Sequence, residues 1–201
     1  MLEEFRKYLE LRIDISESGF EEIKKNLVLK KVAKHEVLLK SGETCHRGYF
    51  VLKGCLRSYC ISNGVEFVMQ FAPENWWIGD KNTLTKPESA LLNIDAIEES
   101  WVIQFNHDFL DKMERIVPES RYMMQDLQQN SYRALQKRVI NLLSVDAEER
   151  YLHFIKAYPG LVNRVPLQMI ASYLGVTPQT LSRVRAKHQE PKHDIVTHTI
   201  Y

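Results

Sequence analysis

The sequence predicts an α+β protein, with an antiparallel β-barrel or sandwich in its first half and a run of helices after it. Three observations predict this. Turn signals punctuate residues 27–103 about every ten residues, the texture turns helical at Asn106 and stays so, and residues 167–185 spell two short helices joined by a glycine turn. The 201 residues are 44% hydrophobic and 26% charged, enough apolar material for buried cores, which excludes wholesale disorder. No uncharged apolar run of about 18 residues occurs, so no membrane partner is expected. Glu3 and Glu4 stand where a signal peptide would carry positive charge, which places the expected chain in the cytoplasm.

Leu2, Phe5, Leu9 and Ile13 recur at spacings of three and four, so the first 26 residues read as helix, with Ser18-Gly19-Phe20-Glu21 as a capping box. From Leu27 to about Ile103, short runs rich in Val, Ile, Phe and Tyr alternate with turns at Ser41-Gly42, Lys53-Gly54, Asn63-Gly64 and Pro73-Glu74-Asn75. Asn63-Gly64, between Tyr59-Cys60-Ile61 and Val65-Glu66-Phe67, predicts a two-residue hairpin because both residues tolerate positive φ. Pro118 suits the first position of a long helix running to about Ser144. Its narrow apolar stripe (Met124, Leu127, Leu135, Val139, Leu142, Leu143) fits pairing with a second copy of the chain, or packing on the β-domain. Asp146-Ala147-Glu148-Glu149 caps a further helix, to about Ala157, which Pro159-Gly160 ends. The expected division is 1–117, a long helix and hinge over 118–145, and 146–201.

Charge separates the two ends. From Arg150 to Tyr201 seven bases face two acids, a balance of +5, whereas residues 1–149 carry twenty bases and twenty-four acids. A basic tail on an acidic body points to a polyanionic partner at the tail.

Residues 167–185 carry the most information. Ala171 is small where two helices must cross, and Gly175 follows Leu174 where the chain needs a left-handed residue to reverse. Thr177 can cap the second helix, with Pro178 preset at its first position. Ile170, Leu174, Val176, Leu181 and Val184 form the apolar set, which makes the segment a helix-turn-helix. The opposite side then presents Gln179, Ser182, Arg183 and Ala186. Arg183 can donate two parallel hydrogen bonds to a guanine edge and Gln179 can pair with adenine, while Thr177, Thr180 and Lys187 suit phosphates.

Other chemistries find little support. Cys45, Cys55 and Cys60 form no CxxC pair and read as buried thiols. His35, His46 and His107 lack metal-ligand spacing, and Ser41, Cys45 and His46 form no nucleophile–base arrangement. No catalytic residue, metal or cofactor is therefore expected.

The turns at Ser41-Gly42-Glu43 and Lys53-Gly54, the long helix and the run Gly175-Val176-Thr177-Pro178-Gln179-Thr180-Leu181-Ser182-Arg183 together resemble the Crp–Fnr transcription regulators. The resemblance spans nearly the whole chain and is most specific over 167–185. It implies a β-roll of cyclic-nucleotide-binding type (jelly-roll-like), a long dimerisation helix and a C-terminal winged helix-turn-helix domain, with Gln179, Ser182 and Arg183 meeting base edges. The expected partners are double-stranded DNA, a second copy of the chain, RNA polymerase and a small-molecule effector of unidentified chemistry. Members that bind cyclic AMP carry a Gly-Glu pair for the ribose and an Arg followed by Ser or Thr for the phosphate. Here Trp77-Ile78-Gly79-Asp80 stands in the first place, making Gly79, Asp80 and Trp77 the effector-site candidates, and Ala90-Leu91 stands in the second. Neither Ala90 nor Leu91 can neutralise a phosphate, so tight binding of cyclic AMP is not expected. The residues before Cys45 include no cysteine, so the iron–sulfur mechanism of the family's oxygen sensors, which uses an N-terminal cysteine cluster, is not expected. A wing belongs after Lys187, where residues 188–194 spell no full hairpin and Asp194–Tyr201 supplies one strand. The alternative reading is a small-molecule-binding module whose helical C-terminal part mediates protein–protein contacts; a cupin-like metalloenzyme ranks third.

Overall fold

The computed structural model describes residues 1–80 and 88–188. Two compact units divide the chain between Val139 and Ile140.

In the first unit, Ser16 accepts a hydrogen bond from the Gly19 amide and so starts a second helix, splitting the N-terminal segment into α1 (Leu2–Glu10) and α2 (Glu17–Lys24). The expected unbroken helix with a cap at Ser18 is thus corrected. Ser18 lies inside α2 with its hydroxyl 3.1 Å from that of Ser16, because the cap went to the serine whose extended backbone aims its oxygen at a free amide. Eight strands follow: β1 (Val28–Val32), β2 (Val37–Leu39), β3 (Gly48–Lys53), β4 (Leu56–Ser62), β5 (Val65–Ala72), β6 (Trp77–Gly79), β7 (Asn93–Ala96) and β8 (Ser100–Phe105). They form two antiparallel sheets in the orders β1-β8-β3-β6 and β2-β7-β4-β5. The Asn63-Gly64 hairpin is present, with Ser62 opposite Val65 and positive φ at both turn residues.

The sheets enclose one core of Val32, Leu39, Val51, Leu56, Ile78, Ile94, Ala96 and Val102. A second core covers the other face of the first sheet, where Phe50, Leu52, Ile103 and Phe105 meet Phe5 and Leu9 of α1 and Phe20 of α2. Burial on both faces explains the continuous apolar run Tyr49-Phe50-Val51-Leu52. On the outer face of the second sheet, Arg57 and Asp95 stand opposite one another on β4 and β7, with Nε–Oδ1 2.8 Å and Nη2–Oδ2 2.9 Å. Arg57 also reaches Glu66 at 2.7 Å and lies 4.1 Å over the Tyr59 ring.

After β8, Asn106 caps α3 (His107–Ile116) by accepting from the Phe109 amide. The long helix, α4, runs Ser120–Ser144. Pro118 sits in the turn before it rather than in its first position, since the amides of Ser120, Arg121 and Tyr122 bond three residues back. The stripe on α4 divides in two. Met124 and Leu127 pack against the second core, whereas Leu135, Val139, Leu142 and Leu143 are exposed in the single chain. Near the junction of the units, Arg138 Nη1 and Nη2 donate to the carbonyls of Met69 and Val68, at 2.7 and 2.8 Å. There the β4–β5 register slips, Ser58 facing Gln70 but Tyr59 facing Val68, so that Met69 is an extra residue in β5.

The second unit holds the last turn of α4, then α5 (Ala147–Ala157), a 3₁₀ turn (Leu161–Asn163), α6 (Leu167–Leu174) and α7 (Pro178–His188). Asp146 caps α5, as expected, by accepting from the Glu149 amide. The wing expected after Lys187 lies outside the described residues.

Candidate nucleic-acid interface

The helix pair α6–α7 builds the candidate site. Ile170, Ala171 and Leu174 of α6 and Leu181 and Val184 of α7 are buried, while Val176 between them is half-buried. Gly175 adopts φ +65°. Its amide bonds Ser172 O at 3.2 Å and the Val176 amide bonds Ala171 O at 3.0 Å, the closure that ends a helix through a left-handed residue. Thr177 Oγ1 then accepts from the Thr180 amide at 3.2 Å and starts α7 at Pro178.

This register leaves Gln179, Ser182, Arg183 and Ala186 exposed along one side of α7. Among the described residues none hydrogen-bonds or ion-pairs with the side chains of Gln179, Ser182 or Arg183. Thr177 and Thr180 lie at the helix start with hydroxyls 3.0 Å apart, at the end of α7 whose dipole favours an anion. Lys187 points elsewhere: its Nζ is 3.1 Å from Glu148 of α5, and His188 Nε2 is 3.0 Å from the same carboxylate. Lys187 first and His188 after it hold the Glu148 carboxyl below the usual range. Sequence reasoning missed Glu148 and Arg150 as supports of this site. Arg150 Nη1 donates to Leu174 O at 2.9 Å and its Nε to Asp146 O at 3.3 Å.

The effector candidates lie at the end of β6. Gly79 pairs with Gly48. Trp77 packs edge-on to Phe50 and Phe105, with ring centroids 5.0 and 4.9 Å away, and its indole donates to the Tyr8 hydroxyl at 2.7 Å. The Asp80 side chain is buried, and its Oδ2 accepts from the Leu91 and Leu92 amides at 2.8 and 3.1 Å. Among the described residues no three His, Cys, Asp or Glu side chains gather as a metal site, and no helix is long and apolar enough to cross a membrane. The three cysteines are free: Cys55 is buried, as expected, while Cys45 and Cys60 are only partly covered.

Residues 29–115 match the cyclic nucleotide-binding domain. The regulatory protein HlyX of Actinobacillus pleuropneumoniae is 27% identical over 173 residues, covering 80% of this chain and 71% of that protein. The anaerobic regulatory protein of Pasteurella multocida is 25% identical over 173 residues, covering 80% of this chain and 63% of its own length. In three dimensions, FixK2 of Bradyrhizobium japonicum superimposes with a TM-score of 0.68 at 20% identity, over 80% of this chain and 83% of that one.

Proposed function

We propose that the chain is a transcription regulator of Crp–Fnr type that binds DNA sequence-specifically as a homodimer through α7. One observation carries this: the Gln179–Ser182–Arg183 face of α7 is exposed and makes no bond within the described chain, on a helix whose other side is buried. Polar side chains left at this spacing match the width and donor pattern of a major groove. The exposed residues Tyr132, Leu135, Val139 and Leu142 of α4 recur at three, four and three, the spacing of a two-helix seam, which supports pairing with a second copy. Two copies would set their α7 helices about one DNA turn apart, roughly 34 Å, on a pseudo-palindromic site. We assign 1–117 to sensing, 118–145 to dimerisation and 146–201 to DNA. RNA polymerase and a small-molecule effector are the further partners of this reading.

A site selected from a random DNA pool supplies the test. Arg183→Ala should cost about 1–3 kcal/mol on that site and relax preference at one base pair per half-site. Unchanged affinity and preference in the Arg183 variant would remove α7 as the reading element.

For the sensor, an effector at Gly79 and Asp80 must displace a carboxylate already bonded to two amides. A cyclic phosphate would add a second anion beside it, with Ala90 and Leu91 offering no cationic side chain. Isothermal titration with cyclic AMP should therefore show no affinity in the micromolar range or tighter. A measured micromolar constant would refute this.

A further inference from the structure

The turn of the helix-turn-helix is held from outside the motif. Within it, the Ser172 and Ala171 carbonyls are taken by the Gly175 and Val176 amides, which leaves Leu174 O, the carbonyl of the peptide joining α6 to Gly175, without an amide partner from the turn. Arg150, on the first turn of α5, donates to that oxygen at 2.9 Å and is itself steadied by Asp146 O. The glycine lies under this grip: a Cβ there would stand 3.5 Å from Arg150 Nη1 and 2.9 Å from Leu142 Cδ2 of α4. The end of the long helix, the start of α5 and the turn thus converge on one residue. The same first turn of α5 holds the far end of α7, through Glu148 to Lys187 and His188.

We propose that Arg150 is a positioning residue for DNA reading: by fixing the Leu174–Gly175 peptide it sets the direction in which α7 leaves the turn. The inference rests on the DNA-binding reading. Rotation of that peptide swings the Gln179–Arg183 face relative to α6, and base-edge hydrogen bonds tolerate little angular error, whereas contacts to phosphate adjust. Arg150 therefore governs discrimination rather than gross affinity. Its guanidinium, turned onto backbone carbonyls, acts inside the protein and not on the duplex.

Fluorescence anisotropy of the full chain, on the selected duplex and on a random duplex over a salt series, tests this. Arg150→Met should lower affinity for the selected duplex about tenfold, leave the random duplex within twofold and leave the salt slope unchanged. Arg150→Lys keeps one donor and should recover part of the ratio. A loss equal on both duplexes, with the slope shallower by about one, identifies a direct phosphate contact and overturns the proposal. An unchanged ratio overturns it as well. Should the methionine variant fail to fold, the lysine variant decides alone, since it keeps the charge but loses the planar fork. A wild-type chain that binds both duplexes equally removes the DNA reading itself, and this inference with it.

Discussion

Asp95→Ala is expected to destabilise the N-terminal unit by about 3–5 kcal/mol, because it strands a guanidinium that water cannot reach. The Arg57 side chain is 5% exposed and Asp95 9%. Burial alone lowers the pKa of Arg57, and the hydrogen bonds it donates to Asp95 and Glu66 more than reverse this, leaving it raised. Glu66 is half exposed and cannot replace a bidentate buried partner. Replacing both members, Arg57→Leu with Asp95→Leu, should restore most of the loss, since the charge and its partner leave together. Urea midpoints of the single and double variants measure this. An Asp95→Ala midpoint within about 1 kcal/mol of wild type would mean that Glu66 and the Tyr59 ring suffice.

Phe50→Ala should cost a similar amount, about 3–5 kcal/mol, by opening a cavity where four aromatic rings meet. Phe50 is fully buried, with the rings of Phe5, Tyr8 and Trp77 at 4.9, 4.6 and 5.0 Å. These rings tie α1 to β3 and β6, so the lost packing should free the N-terminal helix before the sheets part. Amide exchange in residues 2–10 should then outrun exchange in β3. Equal protection in both segments would show that α1 holds by other means.

How much of this was legible in the sequence depends on range. Turns are local: Asn63-Gly64, Gly175 and the Thr177-Pro178 cap need only their neighbours, and each is found where its residue types place it. The apolar set of the helix pair was equally readable, four of its five members being buried. Arg57 and Asp95, in contrast, are 38 residues apart and give no local signal. Arg150 looked like one base among seven, and only the fold brings it to a carbonyl 24 residues away. Competing serines defeated the start of α2, since Ser16 and Ser18 both have the chemistry of a cap. Trp77, an effector-site candidate by its place before Gly79-Asp80, is half-buried and packs against Phe50 and Phe105 at the edge of the second core, a contact between distant segments that no local pattern announces.

The slipped register at Met69 gives the β4–β5 ribbon two unlike ends. Lengthening or shortening both of its strands by one residue beside Asn63-Gly64 keeps the pairing and changes only how far it projects. Removing Met69 would bring Val68 and Gln70 into an even ladder, turn their carbonyls toward β4 and leave the Arg138 fork with nothing to grasp. A surplus residue of this kind is the fastening of a helix to a sheet, and the chain can vary in length there only by letting that helix go.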